Sequence, residues 1–581
     1  MRNFILLPFL AALAACTNND PETGSQADLL VYNAFIWTDA DCMREGETAG
    51  AKEVGEATPC ATALLVGQDG LLMAVGNDTS EWQGHLHAGT RRVDATGQFI
   101  MPGFIEGHAH FSGLGSSLRN LNFLRSRSWE EIVEMVTERA ETTPEGDWIA
   151  GRGWHQEKWD KPHDHSVGGY PVHDELSRLT STHPVILRHA SGHALFANER
   201  AMEIAGVNRE TPDPRGGRVL RDGNGDPTGV FEERAMDLIT DAYQNFVQTM
   251  SPESRKNEWL AGITAAQDEC LRKGITSFQD AGTKYQELDW YKELDDADSL
   301  RLKLWVMLRH GYDRMAGSME GLPHHGDRFT CAAIKTELDG ALGSYGAWLI
   351  EPYFDNPGFT GQNTTLVATV DSIAQLALAN NMQLCVHAIG DRANRETLDV
   401  MADYVRGKDL RWRIEHAQHI DPADIPRFSE LGVIASMQGI HCTSDALFAE
   451  NRLGTERARE GAYAWRSLLD AGAVVTNGTD APVEDVDPIE SFYATVTRRR
   501  VDGKAEFFPE QSMTRVEALH SYTAAPAYAA FEENTKGKLL PGMEADFVIL
   551  SKNLLTCPDD EIMQTRVIAT YVDGRPAYSS K

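Results

Sequence analysis

The chain is 581 residues long, and its 42% hydrophobic and 24% charged residues are typical of a packed globular protein. This composition excludes overall disorder, collagen and a multi-span membrane protein. The chain has 54 Lys and Arg against 86 Asp and Glu, giving a formal net charge of −32. A surface of that sign repels phosphate backbones and argues against nucleic acid as a partner.

The first 26 residues are predicted to be an export signal and a tether. The apolar run at residues 4–13 is too short to span a bilayer, which takes about 20 residues, but it suits the core of a secretory signal. Leu-Ala-Ala before Cys16 resembles the bacterial lipobox, so residues 1–15 are predicted to be cleaved and Cys16 lipidated. An ordinary signal with an incidental Cys16 is the alternative. Residues 16–26 are predicted to be a flexible polar tether.

This signal predicts a place in the bacterial cell envelope. We expect an outer-membrane lipoprotein that faces the periplasm or the cell surface and touches the membrane only through its N-terminal lipid anchor. We expect a small molecule as its substrate. The sequence is compatible with a homodimer.

Export would place the cysteines in an oxidising compartment. Cys42 and Cys60 flank a stretch rich in Gly and Glu, and we predict a disulfide between them. Closing a loop of this size is worth about 3 kcal/mol in the chain-entropy model. No Cys-x-x-Cys pair occurs, which argues against a thiolate zinc site. Four further cysteines lie in or beside apolar runs and are predicted to be buried thiols: Cys270, Cys331, Cys385 and Cys442.

Short strands with turn signals are predicted at both ends of the chain. Residues 27–102 predict the amino-terminal part of a β unit, and residues 525–581 its carboxyl-terminal part. In residues 103–524, helices with apolar residues at three- and four-residue spacing alternate with short apolar strands. This alternation predicts a parallel β/α architecture, and the number of strands suits an eight-stranded barrel. Residues 151–250, rich in His, Gly and Pro, are predicted to be an insertion over the barrel mouth.

Four histidines and one aspartate fall at the ends of predicted strands. His108 and His110 lie two residues apart after an apolar run, so they point to the same face of a strand. His387, His416 and Asp480 end three later strands. Barrel active sites lie at the carboxyl ends of the strands, and nitrogen and oxygen ligands there predict a divalent metal site. Each residue alone could have a structural role, so the prediction depends on their combination.

Lys335 lies within another apolar strand, at residues 332–336. A lysine that points into a barrel is costly unless it is neutralised or paired. Carboxylation by carbon dioxide would turn it into an anion that bridges two metal ions. The alternative is a lysine paired with Glu337, Asp339 or a carboxylate of the substrate.

Several segments together match the motifs of one family: residues 102–110, 151–154, 191–194, 335–344, 387–394, 414–418, 478–483 and 537–547. Through them the chain resembles the amidohydrolase superfamily, and within it amidohydrolase family 3, the YtcJ-like group that includes N-substituted formamide deformylase. The resemblance covers about residues 27–576. It implies an α/β fold, a distorted (β/α)8 TIM barrel with a small β-sandwich domain formed by both chain ends.

The resemblance also implies a set of site residues. Asp480 is the implied metal-adjacent base, and the expected cofactor is zinc, as one or two ions. The implied metal ligands are His108, His110, Lys335, His387 and His416.

The reaction implied by this site is hydrolysis of a non-peptide C–N bond in an amide, formamide or related linkage. A metal lowers the pKa of bound water toward about 7 and polarises the carbonyl. Asp480 would take the water proton and deliver it to the leaving nitrogen. An isomerase or another hydrolase on the same metal site is one alternative, since a fold does not determine the bond cleaved. The other is a non-catalytic periplasmic binding lipoprotein, which the retention of all six metal-site residues argues against.

Three residues are predicted to contact the substrate. His193 is expected to donate to a substrate oxygen, with a structural hydrogen bond as the alternative. Trp154, together with Trp159, is expected to wall the pocket, with ordinary packing under a lid as the alternative. Gln438 ends another strand near the expected pocket.

The chain departs from the common family pattern at two strand ends. Tyr345 stands where the family often has Arg, and Gly439 where it often has Pro. Both positions are expected near the pocket, which leaves room for a substrate that differs from those of the commoner members.

Overall fold

The computed structural model describes residues 26–39, 60–503 and 505–580. The predicted signal at residues 1–15, Cys16 and Cys42 lie outside these ranges. Cys60 is disulfide-bonded, and its pairing with Cys42 stays a prediction. No helix formed by the described residues is long and apolar enough to cross a membrane. The four cysteines predicted to be buried thiols are indeed buried and free.

The amino-terminal half begins with six short strands, and α-helices appear from the barrel onward. Before the barrel lie β1 Ala27–Tyr32, β2 Phe35–Ile36, β3 Ala63–Gly67, β4 Leu72–Gly76, β5 Arg91–Asp94 and β6 Phe99–Pro102. The barrel begins with β7 Phe104–Ala109 and α1 Phe111–Arg119. The insertion adds β8 Leu121–Asn122, α2 Trp129–Thr142, β9 Ile149–Trp154, β10 Ser166–Val167, β11 Tyr170–Pro171, α3 Asp174–Leu179, β12 Val185–His189, β13 Ala194–Ala197, α4 Glu199–Ala205, β14 Gly217–Arg221, β15 Pro227–Glu233 and α5 Met236–Thr249.

The carboxyl-terminal half completes the barrel and ends in short strands. The barrel continues with α6 Pro252–Arg272, β16 Ile275–Thr283, α7 Tyr285–Asp296, β17 Lys303–Leu308, α8 Tyr312–Ala316, β18 His324–His325, β19 Phe329–Glu337, α9 Val367–Ala379, β20 Gln383–Ala388, α10 Asp391–Val405, β21 Arg413–His416, α11 Ile425–Leu431 and β22 Ile434–Gln438. Next come α12 Gly439–Asp445, α13 Ala449–Leu453, α14 Thr455–Gly461, α15 Trp465–Asp470, β23 Val475–Gly478, α16 Pro488–Thr497, α17 Arg515–His520 and α18 Ala524–Ala529. The last strands are β24 Phe547–Leu550, β25 Val567–Val572 and β26 Arg575–Ser579.

Within the described ranges, eight strands form a parallel barrel in chain order: β7, β16, β17, β19, β20, β21, β22 and β23. The first and last strands meet, because the Asp480 amide donates to the His108 carbonyl at 2.8 Å. Gly107 permits this approach, since a Cβ there would lie 2.4 Å from the Asn477 carbonyl oxygen. The fold is therefore the distorted TIM barrel predicted from the alternating pattern.

The insertion between α1 and α6 forms its own six-stranded sheet, in the order β14-β15-β13-β12-β9-β8. It begins at Leu121, earlier than the boundary near residue 151 that its composition indicated. Helix α2 belongs to it, because Trp129 and Ile132 pack in the same apolar cluster as Phe196 of β13. The Ser128 side chain caps this helix by accepting from the Glu131 amide at 3.2 Å.

Strands from both chain ends pack together beside the barrel. Strands β1, β3, β4 and β5 form a four-stranded sheet, and β2 and β6 join β24, β25 and β26 in a five-stranded one. One apolar cluster draws on both, with Leu29 and Leu64 next to Ile100 and Phe547. Lys303 of the barrel forms ion pairs with three carboxylates of this unit. Its Nζ lies 2.6 Å from Glu544, 2.7 Å from Asp546 and 2.8 Å from Asp573.

Candidate functional site

The six predicted metal-site residues come together at the carboxyl ends of the barrel strands. His108 and His110 lie at the end of β7, and Asp480 follows β23. Lys335, His387 and His416 lie in β19, β20 and β21. All except the fully buried His108 line a cavity of about 1310 Å³. The six residues therefore lie together at the inner end of this cavity.

Asp480 is at the centre of the cluster. Its Oδ1 lies 3.2 Å from His110 Nε2 and 3.6 Å from His108 Nε2. Its Oδ2 lies 3.9 Å from Nε2 of His441, a residue on α12. The ring of His416 lies 4.7 Å from that of His108 and 4.5 Å from that of His387, measured between centroids.

Two groups of three ligand atoms share Asp480. The ligand atoms of His108, His110 and Asp480 lie within 4.8 Å of one another, and so do those of His416, His441 and Asp480. The two groups overlap at one carboxylate, an arrangement that can accommodate either one ion or two.

Unpartnered atoms show that this donor set fits a metal ion. Among the described residues, Nε2 of His108, His387 and His441 and Oδ1 of Asp480 are buried without a hydrogen-bond partner. Buried polar atoms are almost always paired, so the orphaned atoms of His108, His441 and Asp480 at the two groups of ligand atoms call for an explanation. Imidazole nitrogens and a carboxylate oxygen are ligands of divalent transition metals.

Electrostatics and backbone strain are both concentrated at Asp480. Burial opposes its ionisation, but the surrounding His110, His108 and His416 hold the pKa of this carboxyl well below its usual range. Asp480 and His416 also have backbone φ angles of 57° and 71°, in the left-handed region that non-glycine residues seldom adopt. Such strain is typical of functional sites.

Residues behind the histidines orient them. His108 Nδ1 contacts the Glu415 carboxylate, which Arg413 holds in turn at 2.7 and 3.0 Å. His416 Nδ1 lies 2.7 Å from Gln438 Oε1. Engaging Nδ1 in this way leaves Nε2 of each ring for a ligand. Burial opposes the charge on Glu415, but Arg413 and His108 hold the pKa of this carboxyl far below its usual range.

Lys335 is buried and has no acidic partner. Its relative exposure is 2%, and no carboxylate oxygen of the described residues lies within 4.0 Å of its Nζ. Glu337 pairs with Arg309 instead, and Asp339 accepts backbone N–H groups at 2.8 to 2.9 Å. Burial lowers the pKa of Lys335, although Glu337 and Glu415 oppose this effect. The pairing of Lys335 with Glu337 or Asp339, considered as an alternative, is thus not formed.

His193 reaches the cavity from the insertion. Its Nδ1 lies 3.1 Å from Glu233 Oε2, and its ring lies 6.3 Å from that of His387. Burial opposes its charged form, but Glu233 and the more distant Glu337 and Asp339 raise the pKa of His193 above its ordinary value. The position suits the predicted contact with a substrate oxygen.

The structure does not bring Trp154 into the cavity. Trp154 is fully buried, donates from Nε1 to the Leu187 carbonyl at 2.8 Å, and packs in the core of the insertion with Trp159. Gly153, at φ 101°, accompanies a register shift between β9 and β12, so Trp154 enters this core while Arg152 lines the cavity. Packing under the insertion, the alternative considered for both tryptophans, describes them.

Gln438 does not line the cavity either. It is 2% exposed and contacts His416 rather than open space. Its position at a strand end was read correctly, but β22 turns the side chain toward its neighbour β21.

Sequence reasoning missed several residues that shape the site. Arg413 and Glu415 alternate with a buried apolar residue on β21, a spacing that would have placed both on the inner face. His441 lies in the helix that follows a barrel strand, where a histidine can reach the mouth. Arg152 and Arg188 of the insertion line the cavity, and no sequence signal pairs them.

Comparisons with known proteins find relatives that match most of this chain. Protein LONG AFTER FAR-RED 3 of Arabidopsis thaliana is 30% identical over 96% of this chain and 93% of its own length. The N-substituted formamide deformylase of Arthrobacter pascens is 26% identical over 90% of this chain and 96% of its own. Solved structures of uncharacterized metal-dependent hydrolases from Pyrococcus horikoshii OT3 and Pyrococcus furiosus superpose with TM-scores of 0.70 and 0.67. They are 24% and 26% identical, and each match covers 91% of this chain and 99% of the other.

The model of the amidohydrolase family matches residues 91–578, a span that contains every strand of the barrel and all six predicted metal-site residues. Together with the donor set around Asp480, this match identifies a metal-dependent hydrolase. The chain belongs to the amidohydrolase family.

Proposed function

We propose that the protein hydrolyses a C–N bond outside peptides, in an amide, a formamide or a related small molecule. The observation that carries this proposal is Asp480, a buried carboxylate whose oxygens lie 3.2 to 3.9 Å from the Nε2 atoms of His110, His108 and His441 at the inner end of the cavity. Similarity to an N-substituted formamide deformylase supports it.

The residues that would hold a divalent metal are His108, His110, Lys335, His387 and His416. The ion, when bound, supplies Lewis-acid chemistry: it lowers the pKa of a water and polarises a carbonyl.

Asp480 is the proposed acid–base. Its pKa lies well below the usual range, so the carboxylate is ionised at neutral pH and its oxygens can accept a proton from water. The same carboxyl then delivers that proton to the leaving nitrogen. His110 Nε2 lies 3.2 Å from this carboxylate, so the proposed acid–base stands directly beside a proposed metal ligand.

His193 is the proposed donor to the substrate oxygen. Because Glu233 engages Nδ1, the other ring nitrogen is left to face the cavity. The raised pKa favours a protonated ring, which donates more strongly to an oxygen that gains negative charge.

We also propose zinc as the metal and a carboxylated Lys335. A nitrogen-rich ligand set suits zinc. Carbon dioxide adds only to a neutral amine, and the buried Lys335, which lacks an acidic partner within the described ranges, has a lowered pKa that makes the neutral form accessible.

The test compares which types of bond the purified protein cleaves, with its metal content measured. Matched amides, formamides, esters and dipeptides are supplied, and release of amine, alcohol or amino acid is followed. We expect cleavage of amides or formamides, and a loss of that cleavage in Asp480→Asn protein that keeps its metal. Cleavage of esters or dipeptides with amides and formamides left intact would contradict the proposal.

A further inference from the structure

Two arginines of the insertion face each other across neighbouring strands. Arg152 of β9 and Arg188 of β12 are direct partners in the parallel register of the insertion sheet. Both line the cavity that contains the metal-site residues. Like charges at directly opposed positions destabilise a sheet. Other interactions must therefore offset the repulsion between the two guanidinium groups.

Neither arginine has an acidic partner. Arg152 donates from Nε to the Pro482 carbonyl at 2.9 Å and from Nη2 to the Ala190 carbonyl at 3.0 Å. Arg188 donates from Nη2 to Thr240 Oγ1 at 3.3 Å. Within the described ranges, no carboxylate oxygen lies within 4.0 Å of either guanidinium, and both keep further N–H donors.

Two other cations that line the cavity do have acidic partners. Lys158 pairs with Glu484 at 2.9 Å, and Arg309 pairs with Glu337. In a chain of net charge −32, acidic side chains are abundant, yet no described one forms an ion pair with either arginine. Burial lowers the pKa of Arg152 to about 10, with Asp480 opposing and Arg188 adding to the effect, so this guanidinium still carries its charge at neutral pH. Burial also lowers the pKa of Arg188, and Tyr243 and Asp237 oppose that effect.

We propose that Arg152 and Arg188 bind a carboxylate carried by the substrate, which makes the substrate a carboxylate-bearing amide. The planar guanidinium presents parallel N–H donors that match a carboxylate. The inference rests on the proposed function for the bond cleaved, but not for the anion-binding site itself.

The position of Arg152 ties this subsite to the reacting centre. The carbonyl that Arg152 holds belongs to Pro482, two residues after Asp480. The carboxylate and the scissile bond are therefore close enough to belong to one small molecule. The acidic Glu233, Asp237 and Asp241 also line the cavity, and they favour a singly charged carboxylate over a doubly charged phosphate.

Arg188→Gln tests the subsite, because Arg188 has fewer structural contacts than Arg152. Arg221 provides a matched control: it lies in the same insertion, bonds only to backbone carbonyls and does not line the cavity. Succinate is titrated into zinc-loaded wild type, Arg188→Gln and Arg221→Gln by calorimetry, and the neutral succinamide is titrated in parallel.

We expect succinate to bind wild type and Arg221→Gln alike and Arg188→Gln about ten- to hundredfold more weakly, the worth of a charge-assisted hydrogen bond. Succinamide, titrated into the same three proteins with Asp480→Asn added so that it is not cleaved, should not distinguish them. Because the metal site is the same in all of them, direct coordination of succinate by the metal would not produce this difference.

If Arg188→Gln does not fold, Arg188→Lys keeps the charge without the planar fork and should show an intermediate loss. Equal succinate affinities in all folded variants, or tighter Arg188-dependent binding of 3-phosphonopropionamide than of succinamate, would overturn the proposal.

Turnover of succinamate and succinamide separates the two proposals. Binding of succinate that depends on Arg188, without cleavage of any amide, would refute the proposed function and leave the subsite standing. Cleavage of both compounds with equal kcat/KM in wild type and in Arg188→Gln would support the function and refute the subsite.

Discussion

The barrel half and the insertion half of the cavity hold their side chains in different ways. On the barrel side each ring is supported from behind: His108 by Glu415, Glu415 by Arg413, and His416 by Gln438. On the insertion side, Arg152 and Arg188 bond only to neutral oxygens and keep donors free.

The difference separates two tasks. Side chains that must hold an ion or move a proton need one orientation, which strand ends with a closed set of partners provide. Side chains that recognise a substrate need unsatisfied donors, which an inserted unit can offer without disturbing the barrel. Variants in the barrel half should therefore change metal content or proton transfer, and variants in the insertion half should change substrate handling alone.

Lys335→Ala should have the largest effect, because it removes a proposed ligand at the barrel side. Metal content and turnover should fall together, turnover by at least about 10⁴-fold, since the charge stabilisation supplied by the ion is lost with it. Short carboxylic acids added to the variant should restore part of both by replacing the missing oxygens. Metal analysis and turnover on the same sample check this, and a variant with full metal would refute the ligand assignment.

Asp480→Asn should separate proton transfer from metal binding within the barrel half. The amide keeps an oxygen in place but cannot accept the proton, so turnover should fall by about 10²–10⁴-fold while at least one ion stays bound. Turnover measured at known metal content decides the point. Near-normal turnover would mean that another group is the base.

His193→Gln should act on the insertion side only. Losing a donor to the substrate oxygen should lower kcat by about 10²–10³-fold, with metal content unchanged. His183→Gln is the matched control, since His183 lies in the same insertion and its Nε2 contacts the Thr143 carbonyl at 3.1 Å, away from the cavity. Loss of metal from the His193 variant would break the division between the two halves.

Gln438→Met should weaken the metal site without touching the substrate. Without its amide oxygen, Nδ1 of His416 loses the partner that orients the ring, and metal affinity should drop by about 10–100-fold. Excess zinc should restore kcat, and KM should not move. A raised KM at full metal occupancy would instead place Gln438 in contact with the substrate.

Cys16→Ser should have the smallest effect on turnover, because it changes neither half of the cavity. We propose that Cys16 carries the lipid anchor of an envelope protein, so the variant should accumulate as precursor or as soluble protein with unchanged kcat. Detergent-phase partitioning of wild type and variant is the measurement. Unchanged partitioning of the variant would refute the lipid anchor at Cys16.

Much of the barrel side could be predicted from the sequence. A histidine or aspartate at the end of an apolar strand points to the place where parallel strands converge, so His108, His387, His416 and Asp480 could be grouped without coordinates. The periodic helices and strands also predicted the barrel itself. Both the strand-end residues and the periodic pattern are local features of the sequence, so they can be recognised without knowledge of the fold.

The insertion side could not be predicted in the same way. Arg152 and Arg188 lie opposite each other because of the register between β9 and β12, and no local sequence pattern specifies that register. Trp154 packs in the core of the insertion because the register shifts at Gly153, which the sequence does not reveal. Gln438 was placed at the correct strand end, but whether it meets the substrate or His416 depends on packing between neighbouring strands.

The pairing of β6 with β24 constrains the order in which the protein can fold. Ile100 pairs with Ile549, so β6 lacks its antiparallel neighbour until almost the entire chain is available. Contacts so distant in sequence form slowly, because a very long loop must close before they contribute. A chain cut short before β24 would leave β6 with an unpaired apolar edge, the kind of surface on which other chains aggregate. Such truncated chains should therefore be lost to aggregation or proteolysis, even though every residue of the metal site is already present in them.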